Sequence, residues 1–184
     1  MSHSILKASI VALALSVAGI GAAAAADGGG SNDAPTACQT GYVYSKQYEK
    51  CVKANAGLLE DKALFEEGRT LAKAGHYEQA LVVLAAIKDQ NDSMVLTMIG
   101  YSKRKSGNWD EGVAYYQKAL AINPDNVNTR EYLGEAYVTI GRYDLAKVQL
   151  ATIAAIAGTE SEQYRDLADA INNPTKTEVP EQHL

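Results

Sequence analysis

Aromatic residues other than tyrosine are almost absent from this chain of 184 residues, which has one Phe, one Trp and eleven Tyr. Tyrosine joins an apolar ring to a polar hydroxyl, so this composition suits half-buried positions and contact surfaces. Basic residues are also few, with 17 Lys and Arg against 22 Asp and Glu. Because nucleic-acid binding needs clustered cations that replace phosphate counterions, we expect no nucleic-acid partner.

Residues that carry metal or catalytic chemistry are equally scarce. The three histidines, His3, His76 and His183, are far apart in the sequence. The chain contains no metal-ligand spacing, no nucleophile elbow and no phosphate-binding loop. Neighbouring carboxylates such as Asp110 and Glu111 are expected on solvated helix surfaces. We therefore predict a protein that is not an enzyme and that uses no cofactor and no metal.

Only the amino terminus has a long apolar run. Lys7 precedes the run Ala8 to Ile20, and Ala24-Ala25-Ala26 forms a small-residue cleavage site before Asp27. This order is typical of a secretory signal peptide over residues 1–26, cleaved after Ala26, although an uncleaved membrane anchor is the alternative. We expect a periplasmic or secreted mature protein without stable membrane insertion, because no second such run follows.

Two cysteines, Cys38 and Cys51, stand shortly after this segment. An even cysteine count in a chain predicted to be exported favours a disulfide between them. A redox pair is disfavoured, because it needs cysteines separated by two residues. The enclosed alternation of Tyr and Val from Tyr42 predicts a short hairpin that turns near Ser45-Lys46-Gln47.

From Leu58 the apolar period becomes helical, and a short motif occurs three times. It reads GHYEQA from Gly75, GNWDEG from Gly107 and GRYDLA from Gly141, at spacings of 32 and 34 residues. Glycine in this setting suits the left-handed residue that ends a helix, so each copy predicts the turn of a helix hairpin. Another glycine stands seven residues before each copy, at Gly68, Gly100 and Gly134.

The upstream glycines predict close helix contacts, since glycine inside a helix costs about 1 kcal/mol against alanine and needs a packing reason. We expect the contact pairs Gly68 with Ala80, Gly100 with Gly112, and Gly134 with Ala146. Trp109, in the second motif, is predicted to be structural. Because one hairpin cannot bury both of its faces, the hairpins must stack.

The predicted organisation has five parts. A signal peptide over 1–26 precedes a linker and disulfide hairpin over 27–57. Three helical repeats follow, at about 58–91, 92–124 and 125–157. A capping helix over 158–172 begins with a capping box of Thr159 and Glu162, and a flexible tail covers 173–184.

This pattern resembles the tetratricopeptide repeat family, whose helix–turn–helix unit is 34 residues long. The third repeat fits best, through Leu133-Gly134, Ala136-Tyr137, Gly141, Tyr143 and Ala146. The second repeat departs with Gly112 in place of Ala, and the first lacks the closing proline. The resemblance implies an all-α superhelix of antiparallel hairpins that binds protein or peptide segments along the concave face of its first helices. Self-association is left open.

Projecting the family's concave face onto this sequence predicts a groove with a basic, partly apolar half and an acidic half. The candidate groove residues are Lys62, Arg69, Met94, Thr97, Tyr101, Arg104, Asn128, Glu131 and Glu135, and the same projection also places Phe65, Lys73, Lys105 and Val138 on this face. The first two repeats lack the Asn of a carboxylate clamp, so capture of a C-terminal carboxylate is not expected. Phe65 is assigned to the core in preference to the groove. A solvated face without a ligand is the alternative.

The tyrosines of the cysteine hairpin, Tyr42, Tyr44 and Tyr48, allow a second hypothesis. The pattern C-x-x-G-x-V-Y…K-C is loosely similar to small disulfide-containing carbohydrate-binding modules. The chain would then be an envelope or glycan-associated protein whose hairpin is the binding element. The simpler interpretation is that the hairpin, closed by its disulfide, covers the open edge of the first repeat.

Overall fold

The computed structural model describes residues 38–45 and 48–174, which all lie in the second of the chain's two units, Asp33–Leu184. The predicted signal peptide with its cleavage site, the linker up to residue 37, and the tail from residue 175 lie outside the described residues. So do two residues of the predicted hairpin turn, Lys46 and Gln47.

The cysteine segment forms the predicted antiparallel hairpin. Strand β1 is Tyr42–Ser45 and strand β2 is Lys50–Lys53, with Tyr42 opposite Lys53 and Ser45 opposite Lys50. The disulfide between Cys38 and Cys51 is present, with the two Cα atoms 5.8 Å apart, as predicted. An intramolecular disulfide is consistent with an exported protein, because thiols stay reduced in the cytosol.

Val43 attaches this hairpin to the rest of the protein. Its side chain is 2% exposed and belongs to the main hydrophobic core, whereas Tyr42 and Tyr44 on either side are half-buried. A short 3₁₀ turn, Ala54–Ala56, follows, and the Ala54 amide donates to the Gly41 carbonyl. The alternation of a strand therefore places one apolar side chain of β1 in the core.

Seven helices make up the remainder of the described chain, which confirms the all-α prediction. They are α1 Asp61–Lys73, α2 Tyr77–Leu84, α3 Ser93–Lys105, α4 Trp109–Ile122, α5 Val127–Thr139, α6 Tyr143–Ala157 and α7 Glu162–Asn172. Gly75, Gly107 and Gly141 have φ angles of 86°, 97° and 72° and follow α1, α3 and α5. The three motifs are thus the turns of three helix hairpins, as the glycines indicated.

Side-chain hydrogen bonds help to define two helix ends. Helix α2 ends at Leu84, and beyond it the Asp61 carboxylate accepts hydrogen bonds from the backbone amides of Lys88 and Asp89. The capping-box assignment to Thr159 is wrong. The residue that caps α7 is Ser161, whose hydroxyl accepts from the Tyr164 amide.

The hairpins α1–α2, α3–α4 and α5–α6 stack in sequence order. The second helix of each contacts the first helix of the next, and α1, α3, α5 and α7 also contact one another in series. The largest fully buried side chains along this stack include Leu64, Leu84, Tyr116, Ile153 and Leu167. The first helices therefore lie side by side, which is the arrangement that brings their side chains onto a shared surface.

Two of the three predicted glycine contacts are found inside their hairpins. A Cβ atom at Gly100 would lie 2.9 Å from the Gly112 carbonyl oxygen and 2.8 Å from the Tyr116 ring. At Gly68 it would lie 2.7 Å from Leu84 and 3.6 Å from the Ala80 carbonyl oxygen.

The third glycine makes its closest approach to a different helix. The three nearest atoms to a Cβ at Gly134 all belong to Leu167, because α7 packs onto α5 at this point. The predicted contact of Gly134 with Ala146 stays a prediction.

Between residues 38 and 174, leaving aside the undescribed pair 46–47, no helix is both long enough and apolar enough to cross a bilayer.

Candidate functional site

A pocket of about 280 Å³ lies where the amino-terminal ends of α1 and α3 meet. It is lined by Asp61, Lys62, Phe65, Ile87, Asp89, Asp92, Met94 and Val95. Two of the predicted groove residues, Lys62 and Met94, therefore share one concavity. Phe65 is half-buried, packs against the core and also lines this pocket, so the core assignment describes only part of its environment.

The carboxyl-terminal half of α3 carries the most contacts among predicted groove residues. The Tyr101 ring is half-buried and lies 5.1 Å from the Tyr132 ring of α5, centroid to centroid. The Lys73 ammonium at the end of α1 lies 4.8 Å from the Tyr101 centroid and 4.6 Å from the Tyr132 centroid. Residues from all three first helices thus converge, and we call Lys73, Tyr101, Tyr132 and Glu131 the central cluster.

Arg104 is not the free groove cation that was predicted. It is 7% exposed, and its guanidinium forms an ion pair with the Glu135 carboxylate at 2.8 Å. Its Nε also donates to the buried Tyr116 hydroxyl at 3.4 Å, and burial raises the pKa of that hydroxyl. A charge so buried and paired holds α3, α4 and α5 together, and it leaves a partner little to contact.

Thr97 was also wrongly placed in the groove. Its side chain is fully buried, and its hydroxyl is 2.6 Å from the Thr129 hydroxyl of α5. Asn126 adds to this polar contact between repeats, because its amide donates to Ser93 Oγ at 2.8 Å while its carbonyl oxygen caps α5. Thr97 is therefore part of the contact between α3 and α5.

Glu131 is a buried carboxyl on α5. It is 6% exposed and, within the described part of the chain, makes no hydrogen bond or ion pair. Burial, followed by the Glu135 charge, raises its pKa to about 8, and Lys73 acts in the opposite direction. Asp166 and Glu162 of α7 add to the increase. A carboxyl in this setting keeps its proton up to neutral pH.

The remaining predicted residues fall at the two ends of this surface. Arg69 is exposed and pairs with Glu66 of its own helix at 2.7 Å. Asn128 is half-buried and accepts a hydrogen bond from Gln163 of α7 at 3.0 Å. The basic end thus remains open to solvent, whereas α7 partly covers the acidic end.

Lys73 and Tyr132 belong to the central cluster and Asn126 to the buried contact between repeats, although none of them was among the predicted site residues. The projection placed Lys73 on the concave face, but not Tyr132 or Asn126. One sequence signal could have indicated the cluster: Lys73, Tyr101 and Tyr132 stand on first helices, at or next to positions of the projected concave face. The contact of the Lys73 ammonium with the two rings depends on how far each repeat is rotated relative to the next.

Replacing Glu131 with glutamine is expected to remove a pH dependence of stability. The folded-state pKa of about 8 lies above the unfolded value near 4.5, so the free energy of unfolding falls as pH rises through that window. Glu131→Gln should therefore match the wild type near pH 5 and be more stable by about 4 kcal/mol at pH 9, since each pKa unit corresponds to about 1.4 kcal/mol. Urea unfolding at both pH values measures this.

The control for that experiment is Glu78→Gln, at an exposed position of α2. It should keep the wild-type pH dependence. If Glu131→Gln keeps the wild-type dependence too, the carboxyl is ionised throughout the range and its burial has been misjudged.

In the described portion of the protein, no three His, Cys, Asp or Glu side chains are grouped so that they could hold a metal ion. The surface presents apolar walls, aromatic rings and paired charges.

Comparison with known proteins identifies the class. Residues 103–171, from the end of α3 into α7, match the model of the tetratricopeptide repeat family. For these residues the match confirms the tetratricopeptide repeat resemblance that the glycine and aromatic motifs indicated.

Two solved structures illustrate the likeness. MamA from AMB-1 is 30% identical, over 63% of this chain and 64% of that chain, with a TM-score of 0.48. MamA from MSR-1 is 29% identical, over 63% of this chain and 68% of that chain, also with a TM-score of 0.48. This chain thus covers just under two thirds of the first of them. No curated protein matches the sequence.

Proposed function

We propose that this chain is an exported, non-enzymatic scaffold that binds an extended protein or peptide segment along the concave face of α1, α3 and α5. One observation carries the proposal: the three first helices contact each other in series, α1 and α3 line a pocket, and all three contribute to a cluster in which the Tyr101 ring is half-buried and the Tyr132 ring is buried. A partner that spans both features would contact all three repeats.

The pocket and the cluster suit different parts of such a segment. The pocket of about 280 Å³ has Phe65 and Met94 in its wall, and it lies below the usual size of small-molecule sites, about 300–1,000 Å³. It therefore fits an apolar side chain of a peptide better than a whole ligand. Tyr101 offers a ring with a polar tip, the residue type that most often anchors interfaces.

The proposed export and domain organisation rest on the amino-terminal sequence and the disulfide. The signal-like segment 1–26, the disulfide hairpin within 27–57, three repeats over 58–157, a capping helix over 158–172 and a tail over 173–184 are the proposed parts. The bacterial type of the signal favours a periplasmic destination.

Binding by this face can be tested with peptides selected on the purified protein from a random display library. The double substitution Arg69→Glu/Tyr101→Ala is expected to weaken the selected peptides at least tenfold, because it reverses one exposed charge and removes one ring. Isothermal titration calorimetry measures the change. The control, Cys38→Ser/Cys51→Ser, lies on the hairpin and should leave binding unchanged.

The reverse outcome would favour the second candidate function, in which the hairpin is the binding element of an envelope or glycan-associated protein. A groove of about 580 Å³ between β1 and α1 supports that candidate, since Val43, Tyr44 and the exposed Leu58 are in its wall. Binding that survives the double substitution on the face but is lost with the cysteines would exclude the proposed face.

A further inference from the structure

The central cluster already contains a cation. The Lys73 ammonium lies within 4.8 Å of two ring centroids, those of Tyr101 and Tyr132, which are inclined at 54° to each other. Both distances are inside the range of about 6 Å over which a ring face attracts a cation. Lys73 is the last residue of α1 and is exposed, so its side chain reaches the rings from the edge of the surface.

The surroundings of the rings carry more negative charge than Lys73 balances. Glu131 lies beside Tyr132 in sequence and is 6% exposed, without a hydrogen bond or ion pair to any described residue. Glu135 is engaged by Arg104, and α7 brings Glu162 and Asp166 close enough to act on Glu131. The excess negative charge comes from Glu162 and Asp166, because Glu131 keeps its proton up to neutral pH. A cation placed beside Glu131 would favour the ionised form of its carboxyl.

We propose that Lys73 occupies, in the free protein, the site that a lysine or arginine side chain of the partner takes in the complex. Two tyrosine rings and a carboxyl form a site for an alkylammonium or guanidinium group, and Lys73 fills it until a basic segment displaces it. The inference rests on the proposed function and adds that the partner segment is basic. The chain's net charge of −5 favours such a partner over an acidic one.

Displacement has a measurable consequence. A partner that competes with an internal cation binds only the fraction of molecules in which the site is open, so removing the internal cation raises the apparent affinity. A cation held by two rings at a partly exposed site is bound strongly enough to close the site in about nine of ten molecules. The expected gain from removing Lys73 is therefore about tenfold.

The probe is an acetylated and amidated octalysine peptide, with octaglutamate as the counter-probe, titrated calorimetrically into the purified protein. Lys73→Met should bind octalysine about tenfold more tightly than the wild type, and neither should bind octaglutamate. Adding Tyr101→Leu to Lys73→Met should abolish the gain, because one of the two rings is removed. Lys73→Gln repeats the test if the methionine variant fails to fold by circular dichroism.

The matched control is Lys118→Met. Lys118 also lies over a tyrosine ring, Tyr115, at 5.0 Å, but on α4 and away from the central cluster. The same change of net charge there should leave octalysine affinity unchanged. An equal gain in both variants would mean that only net charge had been measured, and no gain or a loss in Lys73→Met would mean that Lys73 is structural; either result overturns the inference.

Failure of this inference can be told apart from failure of the proposed function. If octalysine binds no variant while library-selected peptides still bind in a manner that requires Tyr101, the face binds segments that are not basic. If neither kind of peptide depends on Tyr101, both proposals fail.

Discussion

Replacing Arg104 with alanine is expected to destabilise the protein by about 3–5 kcal/mol. The side chain is 7% exposed and holds the Glu135 carboxylate at 2.8 Å and the Tyr116 hydroxyl at 3.4 Å. Alanine would leave a partly buried carboxylate and a buried hydroxyl without their donor, and would also remove packing volume.

Chemical denaturation, followed by helical circular dichroism, measures this loss. Arg69→Ala is the matched control, since Arg69 forms an ion pair with Glu66 in which both side chains are about half exposed. Such a pair contributes about 0–1 kcal/mol. A double substitution, Arg104→Met/Glu135→Met, should recover much of the loss, because it removes both members of the pair. A cost for Arg104→Ala no greater than that for Arg69→Ala would show that the pair is solvated.

Changing Gly112 to alanine, the residue that the family prefers at this position, is expected to destabilise the protein by about 3 kcal/mol. A Cβ at Gly112 would lie 2.7 Å from Arg104 Cβ, 2.8 Å from the Gly100 carbonyl oxygen and 2.9 Å from the Arg104 amide nitrogen. Two of these atoms are backbone, so no rotamer change relieves the contact and helices α3 and α4 must separate.

This result would run against intrinsic helix propensity, which favours alanine over glycine by about 1 kcal/mol. Thermal and urea unfolding of Gly112→Ala measure the balance of the two effects. Ala114→Leu, at an exposed position of the same helix, adds more atoms but should change stability by only about 0.5 kcal/mol. A stabilised Gly112→Ala protein would mean that the two helices can move apart at little cost.

Two glycines of the second hairpin, Gly100 and Gly107, also explain why the repeat pattern could be recognised in the sequence. Gly107 has a left-handed φ, and Gly100 lies where there is no space for a side chain. Few residue types other than glycine satisfy either requirement. The starts of the second helices were predictable for the same reason, since α4 and α6 each begin two residues after the turn glycine, at Trp109 and Tyr143.

The errors of prediction share a different cause. Thr97 and Arg104 occupy the positions that the family uses for its concave face, yet both are buried by neighbours from the next repeat, Thr129 and Glu135. The closest neighbour of Gly134, Leu167 of α7, was not predicted either. In each case the deciding atom lies about 30 residues away, and periodicity within one helix carries no information about it.

The sequence by itself determined the helix hairpins, their turns, the disulfide and the class of the protein, because capping, glycine conformation and apolar period act within a few residues. Tertiary structure alone decided which groove residues are open and which are paired. It placed the Lys73 ammonium over two rings from two other helices and buried Glu131 beside them, since those contacts depend on how each repeat packs against the next.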